Sequence, residues 1–302
     1  MAAPLPIVYV IAGPTAVGKT AVSIALAQRL GTAIVSADSR QCYRGMTIGT
    51  AKPDAAELAA VPHYFIDSHS ITDAITAADY EQLSLQYISE VLQKHGRAVV
   101  CGGTGLYIQA LCEGLDEMPP ADPQVVATAE EQYSQQGIAW LQQAVAAEDP
   151  EFYSRGEIQN PARLLRALAF VRTNGSSIVH YRTNTRKERP FRIVKAGLEL
   201  PREVLYERIN QRVDIMMQQG LLQEVTALMP HRQLKNLQTV GYAELFDYLE
   251  GNCTLDYAVD KIKQHSRNYA KRQLTWFKKD KEFIWFSAAE PQLVDKILAL
   301  GQ

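Results

Sequence analysis

The chain has 302 residues, 47% of them hydrophobic and 21% charged, which suits one large globular domain or two modest ones. No run of about 18 uncharged apolar residues occurs, which excludes a membrane-crossing helix, and Cys42, Cys101, Cys112 and Cys253 form no CxxC pair, which argues against a zinc site and fits a reduced cytosolic protein. The net charge of −2 hides an asymmetry: residues 1–154 carry 7 Lys/Arg against 17 Asp/Glu, and residues 155–302 carry 24 against 16. The excess lies in residues 155–195 and 261–281, and two such runs suit a polyanionic partner, although a single basic run is more often a solvated helix face.

Residues 1–6 lack a charged n-region, so no signal peptide is expected. Residues 7–12 are continuously apolar and rich in β-branched side chains, as in a buried parallel strand. A glycine loop follows, then a helical pattern over 21–30 and a short strand over 33–36, leading into Asp38. Residues 79–94 are amphipathic, and 97–101 form a third buried strand ending in Gly102-Gly103-Thr104-Gly105. From the proline cluster near residue 119 the pattern turns helical until about Gly175, and residues 176–190 are polar and basic. Strands are predicted at 192–200 and 283–286, and long helices at 202–228 and 255–279. The fold class expected is α/β: a P-loop doubly wound parallel sheet with a helical insertion domain and C-terminal helices. The core domain is assigned to residues 1–118 and 190–302, and the insertion to 119–189.

Gly13-Pro14-Thr15-Ala16-Val17-Gly18-Lys19-Thr20 matches GxxxxGK[ST] between a strand and a helix, the context that makes the motif specific for phosphate. Loop amides and the helix N-terminus favour an anion, Lys19 adds a point charge, and the Thr20 hydroxyl can face Mg²⁺. The motif by itself also fits ATP. P-loop NTPases usually hold Mg²⁺ with an Asp at the end of an apolar strand, and residues 97–104 offer no acid there. The carboxylate nearest to that role is Asp38, so the loop could hold a diphosphate without supporting NTP hydrolysis; an acid elsewhere in the chain is the alternative.

Three further runs carry a resemblance. They are Val35-Ser36-Ala37-Asp38-Ser39-Arg40-Gln41 continuing through Tyr43, Gly45, Gly49 and Thr50 to Lys52-Pro53, then Gly102-Gly103-Thr104-Gly105-Leu106-Tyr107, then Tyr269-Ala270-Lys271-Arg272-Gln273 through Trp276-Phe277. With the phosphate loop they resemble the bacterial tRNA dimethylallyltransferases, or isopentenyl-diphosphate:tRNA prenyltransferases, from about Ile7 to about Lys278. The resemblance implies transfer of a dimethylallyl group from dimethylallyl diphosphate to N6 of adenosine 37 beside the tRNA anticodon. It implies Mg²⁺ as cofactor, with Thr20 as its ligand, and a monomer working in the cytoplasm without a membrane. No appended zinc finger is expected.

Carried over residue by residue, the resemblance makes Asp38 the general base, with Thr104 near the reacting adenine and Lys19 neutralising the leaving group. It assigns diphosphate binding to Gly13, Pro14, Thr15, Ala16, Val17, Gly18, Lys19 and Thr20, with an arginine of the 208–216 run, Arg212 in preference to Arg208. It assigns tRNA binding to Asp38, Ser39, Arg40, Gln41 and Thr104, and to Ala162, Arg163, Leu164, Leu165 and Arg166 of the insertion. For Asp38 alone, a Mg²⁺ ligand or a helix cap would be the plainer role. The stripe of Ala258, Ile262, His265, Tyr269 and Trp276 reads as core before it reads as a stacking platform, and Lys263, Arg267 and Lys271 on another face suit phosphate contact. His63 is read as structural. Val17 replaces the usual small loop residue, Ala162 stands where many relatives have Gln, and Val125-Val126 where many have an arginine. The rival readings are a P-loop small-molecule or nucleotide kinase, with residues 155–166 as its lid, and a nucleotide-controlled RNA-binding switch.

Overall fold

β1 (Ile7–Ala12) is all but buried because its side chains alternate between two apolar layers, Val8, Val10 and Ala12 on one side and Tyr9 and Ile11 on the other. The computed structural model describes residues 5–183 and 185–302; the reading of residues 1–6 therefore falls largely outside the described residues. The chain runs from β1 through α1 (Lys19–Leu30), β2 (Ile34–Ser36), α2 (Ala55–Ala60), β3 (His63–Tyr64), α3 (Ala77–His95), β4 (Arg97–Gly102) and α4 (Gly105–Glu113). After α5 (Pro123–Glu148), α6 (Pro150–Arg155) and α7 (Pro161–Asn174) it continues with β5 (Arg192–Glu199), α8 (Arg202–Gln218), α9 (Leu221–Leu228) and α10 (Ala243–Leu249). α11 (Leu255–Phe277), β6 (Ile284–Ser287) and α12 (Leu293–Ala299) follow.

The six strands form one sheet in the order β3-β2-β4-β1-β5-β6, and every pairing is parallel. Ala12 is level with Gly102 of β4 and Gly197 of β5, so the loops after these strands open at one edge. One face packs on Ile88 of α3, Ile108 of α4 and Ile262 of α11, and the other on Leu26 of α1, Leu205 of α8 and Ile297 of α12. This is the doubly wound parallel α/β sheet expected. β3 was not anticipated: at two residues it is too short to leave a period-2 signature. The helix expected over 202–228 is two, because Gly220 at φ +102° breaks it.

Contacts divide the chain into one unit of residues up to 113 and from 188 on, and a second unit of residues 114–187. In the second unit α5, α6 and α7 enclose Leu141, Val145, Phe152, Leu164 and Leu168, and Arg172 pairs with Glu148 through two nitrogens at 2.7 and 2.8 Å. α5 is kinked at Gly137, at φ +74°. In the first unit Arg189, on the returning chain, donates to the carbonyls of Ala110 and Leu111 at the end of α4 and pairs with the nearly buried Glu81 at 2.8 Å.

Candidate active site

The loop between β1 and α1 takes its shape from backbone that larger residues resist. Gly13 sits at φ +149°, and a Cβ there would come within 2.6 Å of the Leu198 carbonyl oxygen of β5. Gly18 at φ +108° starts α1 with no side-chain cap, leaving the first amides of the helix to whatever the loop holds. Val17 is fully buried in the same apolar layer as Leu26, so its bulk points away from the cleft.

Lys19 donates to the Pro14 carbonyl at 2.8 Å. Burial is the largest influence on its ammonium and lowers its pKa to about 8; Arg212 lowers it further, while Cys101 and Asp38 oppose. The Thr20 hydroxyl has no hydrogen-bond partner among the described residues. Arg212 of α8 donates to the Thr15 hydroxyl at 3.2 Å, and its burial, with Arg208 nearby, lowers its own pKa. Arg208, one turn earlier, is exposed and makes no hydrogen bond or salt bridge among the described residues. Both arginines line the cleft of about 580 Å³ that also contains Thr15, Lys19, Thr20 and Asp38.

Asp38 follows β2, and its Oδ1 accepts the amides of Arg40 at 2.9 Å and Gln41 at 3.3 Å, which orients the carboxylate. Thr104 after β4 accepts from the Ser39 amide at 3.0 Å and donates to the Ser39 hydroxyl at 3.3 Å. Tyr269 of α11 lies near Thr104, and burial pushes its phenol up to about 12. Asp38, Ser39, Arg40, Arg212 and Tyr269 share a second, smaller cavity of about 220 Å³. Gln41 turns its amide to the chain itself, donating to the carbonyls of Thr50 and Ala51 and accepting from Ser36. Arg40 donates to Asn236 at 3.3 Å.

Thr15, Ala16, Gly18, Lys19 and Thr20 of the phosphate loop thus meet Asp38, Arg208 and Arg212 around one opening in the first unit, whereas Thr104 lines neither cavity and reaches the site through its hydrogen bonds to Ser39. Gln273 belongs to the same constellation; it lies in the third run that carries the resemblance, but no role is assigned to it there. Its Oε1 accepts from the Thr15 amide and its Nε2 donates to the Gly103 carbonyl, both at 2.8 Å. The available signal was its i+4 position from Tyr269 on a helix. Of the stripe on α11, Ala258 is core, the buried Ile262 lines the smaller cavity, Tyr269 lines both cavities and Trp276 is partly exposed, against Gly105.

In the second unit Arg163, Arg166 and Ala162 are exposed on α7, Leu164 is buried and Leu165 half-buried. Arg163 pairs with Glu157 at 2.5 Å and Arg166 reaches the Met118 sulfur at 3.7 Å. Arg182 joins them: burial first, then Arg166 and Arg163, lower its pKa, and its guanidinium lies over the Phe152 ring. On α11 in the first unit, Lys263 pairs with Asp214 and Arg267 donates to Asn210, while Arg267 and Lys271 both approach the Tyr206 ring. Among the described residues one acidic trio, Glu113, Asp280 and Glu282, is compact enough for a cation, but the Lys195 ammonium already pairs with all three.

A glycine-rich loop of the GxxxxGK[ST] type at the carboxyl edge of a parallel sheet, in a cleft with two arginines and an oriented carboxylate, places the chain in the class of P-loop α/β proteins. The family described as IPP transferase matches residues 41–280. The chain belongs to this family and is a prenyltransferase. It is 46% identical over 277 residues to tRNA dimethylallyltransferase 1 of Phocaeicola vulgatus, covering 92% of both chains. It is 44% identical over 280 residues to tRNA dimethylallyltransferase of Christiangramia forsetii, covering 93% of both. The crystal structure of the full-length tRNA isopentenylpyrophosphate transferase of Bacillus halodurans superposes with a TM-score of 0.71 at 36% identity, covering 98% of this chain and 94% of that one.

Proposed function

We propose that this protein transfers the dimethylallyl group of dimethylallyl diphosphate to N6 of adenosine 37 in the anticodon loop of tRNA. One observation carries the reading: Lys19, Thr20, Arg208 and Arg212 line one cleft with Asp38, while β4 ends at Cys101-Gly102 with no carboxylate. The names of the relatives, tRNA dimethylallyltransferases, support the same reading.

The loop amides, Lys19 and Arg212 bind the diphosphate, and Arg208 closes on its exposed side. As the allylic C1–O bond breaks, the negative charge gathers on the departing diphosphate, where these cations stabilise it. The N6 lone pair of adenine forms the new bond to C1, and the N6 proton passes to the Asp38 carboxylate. The two backbone amides on Oδ1 hold that carboxylate in place, and Thr104 and Ser39 border the entry of the base. An adenine in a loop must leave its stack to reach this depth, which suits a flipped base.

Mg²⁺ fits the oxygen donors present: the Thr20 hydroxyl has no hydrogen-bond partner among the described residues, and Asp54 and Glu57 line the same cleft. When bound, Mg²⁺ neutralises diphosphate charge. The exposed arginines of α7, with Arg182, contact the tRNA backbone in this reading, and the protein works as a cytoplasmic monomer. ATP is the weaker occupant of the loop. Incubation with labelled dimethylallyl diphosphate and unmodified tRNA carrying A36-A37-A38 should label the tRNA. No transfer, alongside brisk ATP hydrolysis, would overturn the reading.

A further inference from the structure

Glu224 on α9 presents its carboxylate to a loop of the site far away in sequence. Oε2 accepts the amides of Thr47 at 2.9 Å and Ile48 at 2.8 Å, and Oε1 accepts the amide of Gly49 at 3.0 Å. The Tyr242 hydroxyl donates to the same Oε1 at 2.6 Å. Four donors converge on one carboxylate, so the segment of three successive amides binds an anion that the chain itself supplies.

Tyr242 is fully buried, and its ring leaves no room beside Gly49: a Cβ there would come within 2.5 Å of it. It directly follows Thr239-Val240-Gly241, which forms one wall of the 220 Å³ cavity, while Gly49-Thr50-Ala51 forms another. Gly241 is itself fixed, its amide donating to Glu244 at 2.8 Å. The Glu224–Tyr242 pair therefore joins two walls of the cavity into which Asp38 and Arg212 project, without touching the cavity. Thr50 and Ala51 also accept the Gln41 side-chain amide, and the Gln41 main-chain amide binds the Asp38 carboxylate.

We infer that Glu224 is a positioning residue which, with Tyr242, sets the separation of these two walls, and thereby the placement of Asp38 and the size of the prenyl chain admitted. The chain-length part rests on the proposed prenyl transfer; the clamping of the walls does not. The apolar side of the cavity, Ile209, Val213, Met216, Val240 and Ile262, suits a short branched hydrocarbon.

Two variants test it. Glu224→Gln keeps the shape but turns an NH₂ group toward donors, and Tyr242→Phe keeps the ring beneath Gly49 and removes a single donor. Amide hydrogen exchange reads the clamp without substrate. In Glu224→Gln the amides of Thr47, Ile48 and Gly49 should exchange at least tenfold faster, and residues 239–242 should loosen with them. Retained protection at either segment would overturn the clamp, whatever reaction the wild type performs. With tRNA, Glu224→Gln should slow dimethylallyl transfer at least tenfold and narrow the preference for dimethylallyl over ten-carbon geranyl diphosphate. Its affinity for inorganic diphosphate should stay within twofold. An unchanged rate and preference, or loss of diphosphate affinity in parallel with rate, would overturn the positioning role. Tyr242→Phe should move every readout in the same direction by a smaller factor, and it alone decides the matter if Glu224→Gln does not fold.

Discussion

Gln273 and Thr15 lie 258 positions apart, yet the Gln273 side-chain oxygen accepts the Thr15 amide at 2.8 Å. The other end of the same side chain holds the Gly103 carbonyl. A buried helix residue thus spans the loop after β1 and the turn after β4 with a single planar amide. Replacing it with leucine leaves a donor and an acceptor unpaired, at a cost of about 1–3 kcal/mol each. Gln273→Leu should lower the melting temperature and weaken inorganic diphosphate binding by about tenfold or more, as read by calorimetry. Gln273→Glu keeps an acceptor for Thr15 but turns a carboxylate oxygen on the Gly103 carbonyl and sets a negative charge in the cleft, so it should bind diphosphate no better than the leucine variant.

The Lys19 pKa, lowered to about 8 by burial, predicts the sign of a pH effect. The ammonium is present below pH 8 and lost above it, and a bound anion stabilises the charged form. Diphosphate affinity should therefore fall as pH rises from 7 to 9, and binding near pH 8 should take up protons. Titration in buffers of different ionisation enthalpy measures that uptake. Lys19→Arg stays charged throughout and should remove it.

Asp38→Asn keeps the size of the side chain and an acceptor for the Arg40 amide, but cannot take the adenine proton. Transfer should drop by about 10²–10⁴-fold, the range for loss of a general base. Binding of inorganic diphosphate and of tRNA should change little, and a parallel fall of both would remove Asp38 as the base.

Arg163→Ala with Arg166→Ala should weaken tRNA binding and reduce the slope of log affinity against log salt by roughly 1.5, two contacts' worth. A slope equal to wild type would show that these arginines do not meet phosphate. Arg182, whose guanidinium is held over Phe152, should add to the effect when it is also replaced.

The strands and the phosphate loop were legible because each is local: a buried β run, then glycines at fixed spacing. Asp38 and Thr104 were also legible, since both fall just past strand ends, where a parallel sheet collects its ligands. What escaped was set by tertiary packing. Tyr269 and Ile262 share their helical stripe with the buried Ala258, and no periodicity separates residues lining a cavity from a core neighbour. Gln273 and Glu224 act on loops more than 150 residues away, a relation that no local pattern records. Gly220 was visible in the sequence, but whether a helical glycine breaks its helix depends on what surrounds it.

Arg189 binds the last carbonyls of α4, so the strand-forming part of the chain closes on itself just where the excursion of residues 114–187 begins and ends. The ends of that excursion are already pinned, and lengthening or shortening a pinned loop changes its closure entropy only slowly. The sheet can therefore tolerate wide variation in the intervening segment; under the proposed reading, that segment is where RNA preference can diverge while the diphosphate pocket stays the same.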